Sequence, residues 1–167
     1  LKHFGEALIN SFEKEIKYNH DSANKIIKVP VCYDPMFALD IAKLSEEKEI
    51  AISSIVQIHC APIYQVYSIG FLPGFTYMGT VDPLIQTPRH VKPRNAVPAG
   101  SVGIAGPQTG IYPSESPGGW QIIGRTPIKI FDPTSTSLTL FKAGDQVRFK
   151  PIDLKLFHTL NAHENVH

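Results

Sequence analysis

Three of the four arginines in this chain of 167 residues, Arg89, Arg94 and Arg125, fall in one glycine- and proline-rich stretch, where Lys92 is the lysine between them. A guanidinium is a planar fork that holds a carboxylate or phosphate through two parallel hydrogen bonds, which an ammonium cannot do. Arginine in preference to lysine therefore suggests recognition of an oxyanion; the plainer alternative is an arginine tied to loop carbonyls. The same stretch contains GPQTGIYPSESPGGW, residues 106–120, with polar groups at Gln108, Thr109, Tyr112, Ser114 and Ser116. Ser116-Pro117-Gly118-Gly119 could turn successive backbone N–H groups toward an anion, and the single tryptophan, Trp120, follows directly. No Gly-Lys-Ser/Thr follows, so this is not a Walker loop.

A second stretch, GFLPGFTYMG (residues 70–79), centres on Pro73-Gly74. That pair favours a tight turn with positive φ at the glycine. Phe71, Pro73, Phe75 and Tyr77 either fold onto the core or form an aromatic wall of a pocket. Familiar catalytic sets are missing: there is no CxxC pair, no Gly-x-Ser-x-Gly elbow, and His158, His163 and His167 lack metal-ligand spacing. His90, beside Arg89, is the one acid–base candidate, no catalytic residue can be named, and no metal site is expected.

The elements that must position these groups are mostly strands. Phe4, Leu8, Phe12 and Ile16 predict a helix over residues 1–19, followed by a polar break to Lys25. KIIKVPVCYDP predicts a first strand, Phe37 to Glu47 a helix, and Ser53 to Cys60 a second helix capped by Ser53 or Ser54. From Tyr64 onward YQVYSIGF, GSVGIAG, WQIIG, IKIF, SLTLF and QVRFKPI read as short strands separated by turn residues. Such a series predicts an all-β sandwich or barrel. AGD at 143–145 is the turn before a closing strand.

Composition limits the partners. A formal net charge of +1 gives no argument for nucleic acid or an anionic membrane surface, and no apolar run approaches the roughly 20 residues that cross a bilayer. Cys32 and Cys60 sit in apolar company and are expected as free thiols in a reducing cytoplasm. Because the chain starts at Leu1, it is expected to be a piece of a longer protein.

Over about ninety residues, GFLPGFTYMG, TPRHVKPRNAVPAGSVGIAGPQTGIYPSESPGGWQIIGRTP, FDP and AGDQVRF resemble in order one bacterial family, with VPVCYD matching upstream. That family is the B subunit of ATP-dependent 5-oxoprolinase, also labelled allophanate hydrolase subunit 1 or sporulation-kinase inhibitor. The resemblance implies a mainly β fold, a cyclophilin-like β-barrel with two or three short helices. It divides the chain into a remnant of an N-terminal domain plus linker (1–28), the barrel (29–152) and a C-terminal tail (153–167). It further implies a cytoplasmic role in opening 5-oxo-L-proline to L-glutamate, with ATP and magnesium in an assembly with a homologous C subunit and a separate A subunit. Arg89, Arg94, Gln108, Tyr112, Ser116, Gly118, Gly119, Trp120 and Arg125 would then bind substrate or anion. The alternatives are an inhibitor of a sporulation histidine kinase and a subunit of an allophanate or urea amidolyase.

Overall fold

The computed structural model describes residues 26–164, so the helix expected over 1–19 and the break after it lie outside the described residues. Seven strands close into a barrel in the order β1 (Ile26–Cys32), β8 (Gln121–Arg125), β5 (Ser101–Ala105), β6 (Gln108–Ile111), β3 (Thr76–Gly79), β2 (Tyr64–Ile69) and β9 (Gln146–Ile152). β9 closes the barrel by pairing in parallel with β1 along its whole length, from Ile26 opposite Gln146 to Cys32 opposite Ile152. The turn before it has Gly144 at φ 91°, where a side chain would be strained. Two more strands, β4 (Arg94–Val97) and β7 (Ser116–Gly118), form a separate antiparallel ribbon. With three helices added, the architecture is the mainly β barrel expected.

Alternation fills the interior. Val29 and Val31 of β1, Val66 of β2, Val102 and Ile104 of β5, and Val147 and Phe149 of β9 all point into one apolar cluster. The strands expected at IKIF and SLTLF do not form; the two runs share only the isolated bridge between Phe131 and Thr139. Ile128 and Ile130 are buried, but Asp132-Pro133 turns the chain before a ladder can form. Conversely β7 contains Pro117, tolerated because a two-stranded ribbon leaves its nitrogen without a ladder partner to serve.

The helices start where the backbone allows. α1 (Ile41–Lys48) begins later than expected, since Phe37 and Ala38 donate to the Asp34 carbonyl in a turn. α2 (Ile52–Cys60) has Ala51 at its N-cap with no side-chain bond, so neither Ser53 nor Ser54 caps it. The stretch read as a tail carries α3 (Leu154–Glu164), whose Phe157 ring lies 4.3 Å from that of Phe37. No helix among the described residues is long and apolar enough to cross a membrane. Both cysteines are free, Cys32 buried and Cys60 partly buried.

His59, from the last turn of α2, is fully buried. Its ring stacks on Phe149 with centroids 4.6 Å apart. Thr109 Oγ1 donates to the Gly103 carbonyl at 2.9 Å, so it accepts from His59 Nε2 at 3.0 Å. Nδ1 is then the acceptor for the Tyr33 hydroxyl at 2.7 Å, and the Cys60 thiol donates to Tyr33 at 3.3 Å. Each hydrogen in this chain has one place to go, which fixes a neutral imidazole.

Candidate functional site

The β4–β7 ribbon covers the outer wall of the barrel, and Trp120 is what lies between them. Gly103 of β5 and Gly110 of β6 present no side chain there. A Cβ on Gly103 would meet the Trp120 Cβ at 3.1 Å, and one on Gly110 would meet the indole at 3.0 Å. The indole therefore lies across a glycine-floored patch, 4% exposed, in a second apolar cluster with Phe75, Val97, Ala105, Tyr112 and Ile122. Phe75 is the hub, with ring centroids 5.3 Å from Trp120, 5.0 Å from Tyr112 and 4.8 Å from Tyr77. Arg89 stands 5.7 Å above the indole, a cation against a π face.

Asp40 pins the ribbon to the barrel. It is 4% exposed and sits at the start of α1. One carboxylate oxygen accepts the Ile122 N–H at 2.6 Å, and the other accepts Arg94 Nη2 at 2.5 Å. Its own N–H donates to the Ile122 carbonyl at 2.8 Å. Burial pushes the carboxyl pKa up, but Arg94 and the Ile122 N–H outweigh it and hold the group below its ordinary value. Arg94 also donates through Nη1 to His90 Nε2 at 2.9 Å, and that nitrogen lies 3.2 Å from Asp40. The His90 N–H donates to the Gly119 carbonyl at 2.7 Å, and Gln121 Nε2 to the Pro88 carbonyl at 3.1 Å. Loop 88–93 is thereby tied to the ribbon's far end.

The structure brings together Arg89, Arg94, His90, Tyr112, Gly118, Gly119 and Trp120. No hydrogen bond, ion pair or ring contact among the described residues links Gln108 or Arg125 to them. Gln108 stands at the far end of β6, opposite Gly79 and Ala105, and Arg125 donates from Nε to the Ala99 carbonyl at 2.7 Å. Buried Ser116 Oγ has no hydrogen-bond partner among the described residues, an expensive state for a hydroxyl.

The proposed pocket wall splits in the same way. Phe75 is core; Pro73 is exposed, and Phe71, with φ 70°, is 69% exposed. Gly74 has the positive φ expected of it, 85°. Trp120 is an inner layer between ribbon and barrel, because only an aromatic plate fills a floor made of glycines. Sequence reasoning does not single out Asp40. The sequence places it inside the helix expected over Phe37 to Glu47; in the structure it stands at the N-cap of α1 with no side-chain cap bond, and its carboxylate serves β4 and β8.

The two glycines differ. A Cβ on Gly118 would collide with the Tyr112 ring, which is fully buried and cannot retreat. At Gly119 the closest atom would be the His90 carbonyl at 3.6 Å, an ordinary contact. Gly118→Ala is therefore expected to cost about 1–3 kcal/mol in chemical denaturation, as overpacking does. Gly119→Ala should leave the midpoint nearly unchanged, and equal effects at the two positions would contradict the packing described.

Ribbon, indole and loop 88–93 lie within a stretch shared with known proteins. Residues 2–141 match the family described as carboxyltransferase domain, subdomain C and D. This chain belongs to that family. Across 98% of its length it is 37% identical to the 5-oxoprolinase B subunit of Bacillus subtilis (strain 168), covering 72% of that protein. With the protein of the same name from Haemophilus influenzae it is 46% identical over 77% of its length, covering 61% of that relative. Among solved structures, a conserved uncharacterized protein from Pyrococcus horikoshii superposes with a TM-score of 0.77 at 47% identity, over 87% of this chain and 64% of that one. The Kluyveromyces lactis urea amidolyase shares the fold, with a TM-score of 0.70 at 22% identity over 83% of this chain and 10% of that one. In this member of the carboxyltransferase-domain family, all the residues that build the ribbon site fall inside the matched stretch.

Proposed function

We propose that this chain is the barrel-bearing part of the B subunit of an ATP-dependent 5-oxoprolinase, which opens 5-oxo-L-proline to L-glutamate together with partner subunits. The observation that carries the reading is the 37% identity to a protein of that name across 98% of the chain. A lactam resists water because amide resonance weakens its carbonyl as an electrophile; ATP supplies the phosphoryl group that relieves this.

The residues of the ribbon divide that work unequally. Arg94 is neutralised by Asp40, so it is a positioning residue that holds loop 88–93 and His90 in place. Arg89 is exposed and no carboxylate among the described residues pairs with it. Its guanidinium is the group offered to a substrate carboxylate or a developing oxyanion. Ser116 Oγ supplies a hydroxyl that still needs a partner. Among the described residues no three His, Cys, Asp or Glu side chains gather where they could hold magnesium. The proposal leaves ATP and magnesium to the complex assembled with the A and C subunits.

The test is reconstitution. Purified with the A and C subunits, the chain should support ATP-dependent glutamate release, and alone it should support none. Arg89→Ala in the assembly should slow turnover at least about tenfold, the loss of one charge-assisted hydrogen bond, with an unchanged melting temperature. Undiminished turnover by an assembly lacking this chain would sink the proposal.

A further inference from the structure

Arg125 is a half-buried cation whose charge nothing among the described residues neutralises. It lies on β8, with Nε committed to the Ala99 carbonyl and its guanidinium 5.7 Å from the centroid of Phe37, which in turn packs on Phe157 of α3. Burial alone pushes its pKa below the ordinary value; no carboxylate acts against that. A partly buried charge without a counter-ion is incompletely compensated, and the Ala99 carbonyl on one edge and the Phe37 ring nearby restrict the guanidinium.

The same side chain lines a recess of about 260 Å³ beside Gly100, Thr126 and Ile128. Thr126 Oγ1 accepts the Ile128 N–H at 3.2 Å, which leaves its own hydrogen to donate. Pro113, Pro127 and Ile130 supply apolar wall, Asn161 and Lys129 also line the space, Lys129 being paired with Asp132 at 3.1 Å, and no acidic side chain lines it. Because Nε is occupied, the fork left to Arg125 is the end-on pair of terminal nitrogens. That fork takes two oxygens in one plane. The volume is below the usual range for a drug-sized ligand and suits a few heavy atoms.

We infer that this recess is a binding site for a short aliphatic carboxylate, gripped end-on by Arg125 with its stem against Pro113, Ile128 and Ile130. It is separate from the ribbon site, shares none of its polar contacts, and does not depend on the reading given for that site. An inorganic phosphate would satisfy the guanidinium but would leave the apolar wall facing a hydrated anion. A carboxylate with a short stem satisfies both.

The test uses the whole chain and the side-chain Nε–H resonances of its four arginines, titrated separately with butyrate, inorganic phosphate and chloride. The expected result is a saturable shift of the Arg125 signal with butyrate, weaker with phosphate and absent with chloride. Arg94, paired with Asp40, should not move, and any shift at Arg89, which belongs to the ribbon site, should be unchanged in Arg125→Gln. Arg125→Gln should weaken butyrate binding at least about tenfold, since it removes the charge-assisted pair. Should that variant fail to fold, the wild-type titration still decides. An immobile Arg125 signal, a response equal for all three anions, or binding undiminished in folded Arg125→Gln would overturn the inference.

Discussion

Replacing Asp40 with alanine should lower the unfolding free energy by about 3 kcal/mol, equivalent to roughly 10 °C in Tm for a chain of this size. The substitution removes two charge-assisted contacts at once, to Arg94 and to the Ile122 N–H. It leaves a buried amide without an acceptor, and Arg94 is the one partner partly able to recover water, with 29% of its side chain exposed. The ribbon should loosen with it, so Trp120 emission should shift to the red before the barrel melts. Asp40→Asn keeps an acceptor for Ile122 but turns neutral toward Arg94, and should fall between the two. Loss of activity in the reconstituted assembly should follow Trp120 exposure, because Asp40 acts through the ribbon. A variant that keeps its Tm within a degree or two would show that the clamp contributes nothing.

The second large effect is acid destabilisation centred on His59. Burial pushes its pKa from the ordinary 6.5 down to about 3, since a charged imidazole cannot be solvated inside the barrel. The folded state therefore binds fewer protons than the unfolded chain between those two values. Stability is fully present above pH 6.5 and is lost as pH falls toward 3, roughly tenfold in the folded-to-unfolded ratio per unit. Integrated over that window, the effect is on the order of 5 kcal/mol. Asp40, whose carboxyl is held below its ordinary 3.8, adds its own loss only at the acid end. His59→Gln cannot titrate, and its unfolding free energy should stay nearly flat from pH 6.5 to 4.5. Parallel pH profiles for the two proteins would rule out His59 as the origin.

How much of this is legible in the chain alone can be seen residue by residue. The alternation of Val147 and Phe149, the AGD turn before them and the apolar KIIKVPVC run indicate strands because a period of two is written into the chain itself. The positive φ at Gly74 is readable for the same reason: Pro-Gly dictates its own turn. Motif order from GFLPGFTYMG to AGDQVRF is enough to indicate the family, and with it the barrel. Arginine clustering marks the stretch in which Arg89 and Arg94 meet.

Only the tertiary structure separated Arg125 from them, because β4 pairs with β7 whereas β8 pairs with β1 and β5. It also gave Trp120 its meaning. The indole needs a floor without side chains, and Gly103 and Gly110 provide one only when β5 and β6 are side by side. Asp40 joins groups 54 and 82 residues away, and His59 reaches Thr109 across 50. No local pattern encodes such contacts, since Asp40 and His59 stand at helix ends while their partners lie on strands far along the chain. Sequence thus determined most barrel strands and the family, but not the missing strands at IKIF and SLTLF or the helix in the stretch read as a tail. Burial of a carboxylate, an imidazole and an unpaired guanidinium was decided by which surfaces the closed barrel brought together.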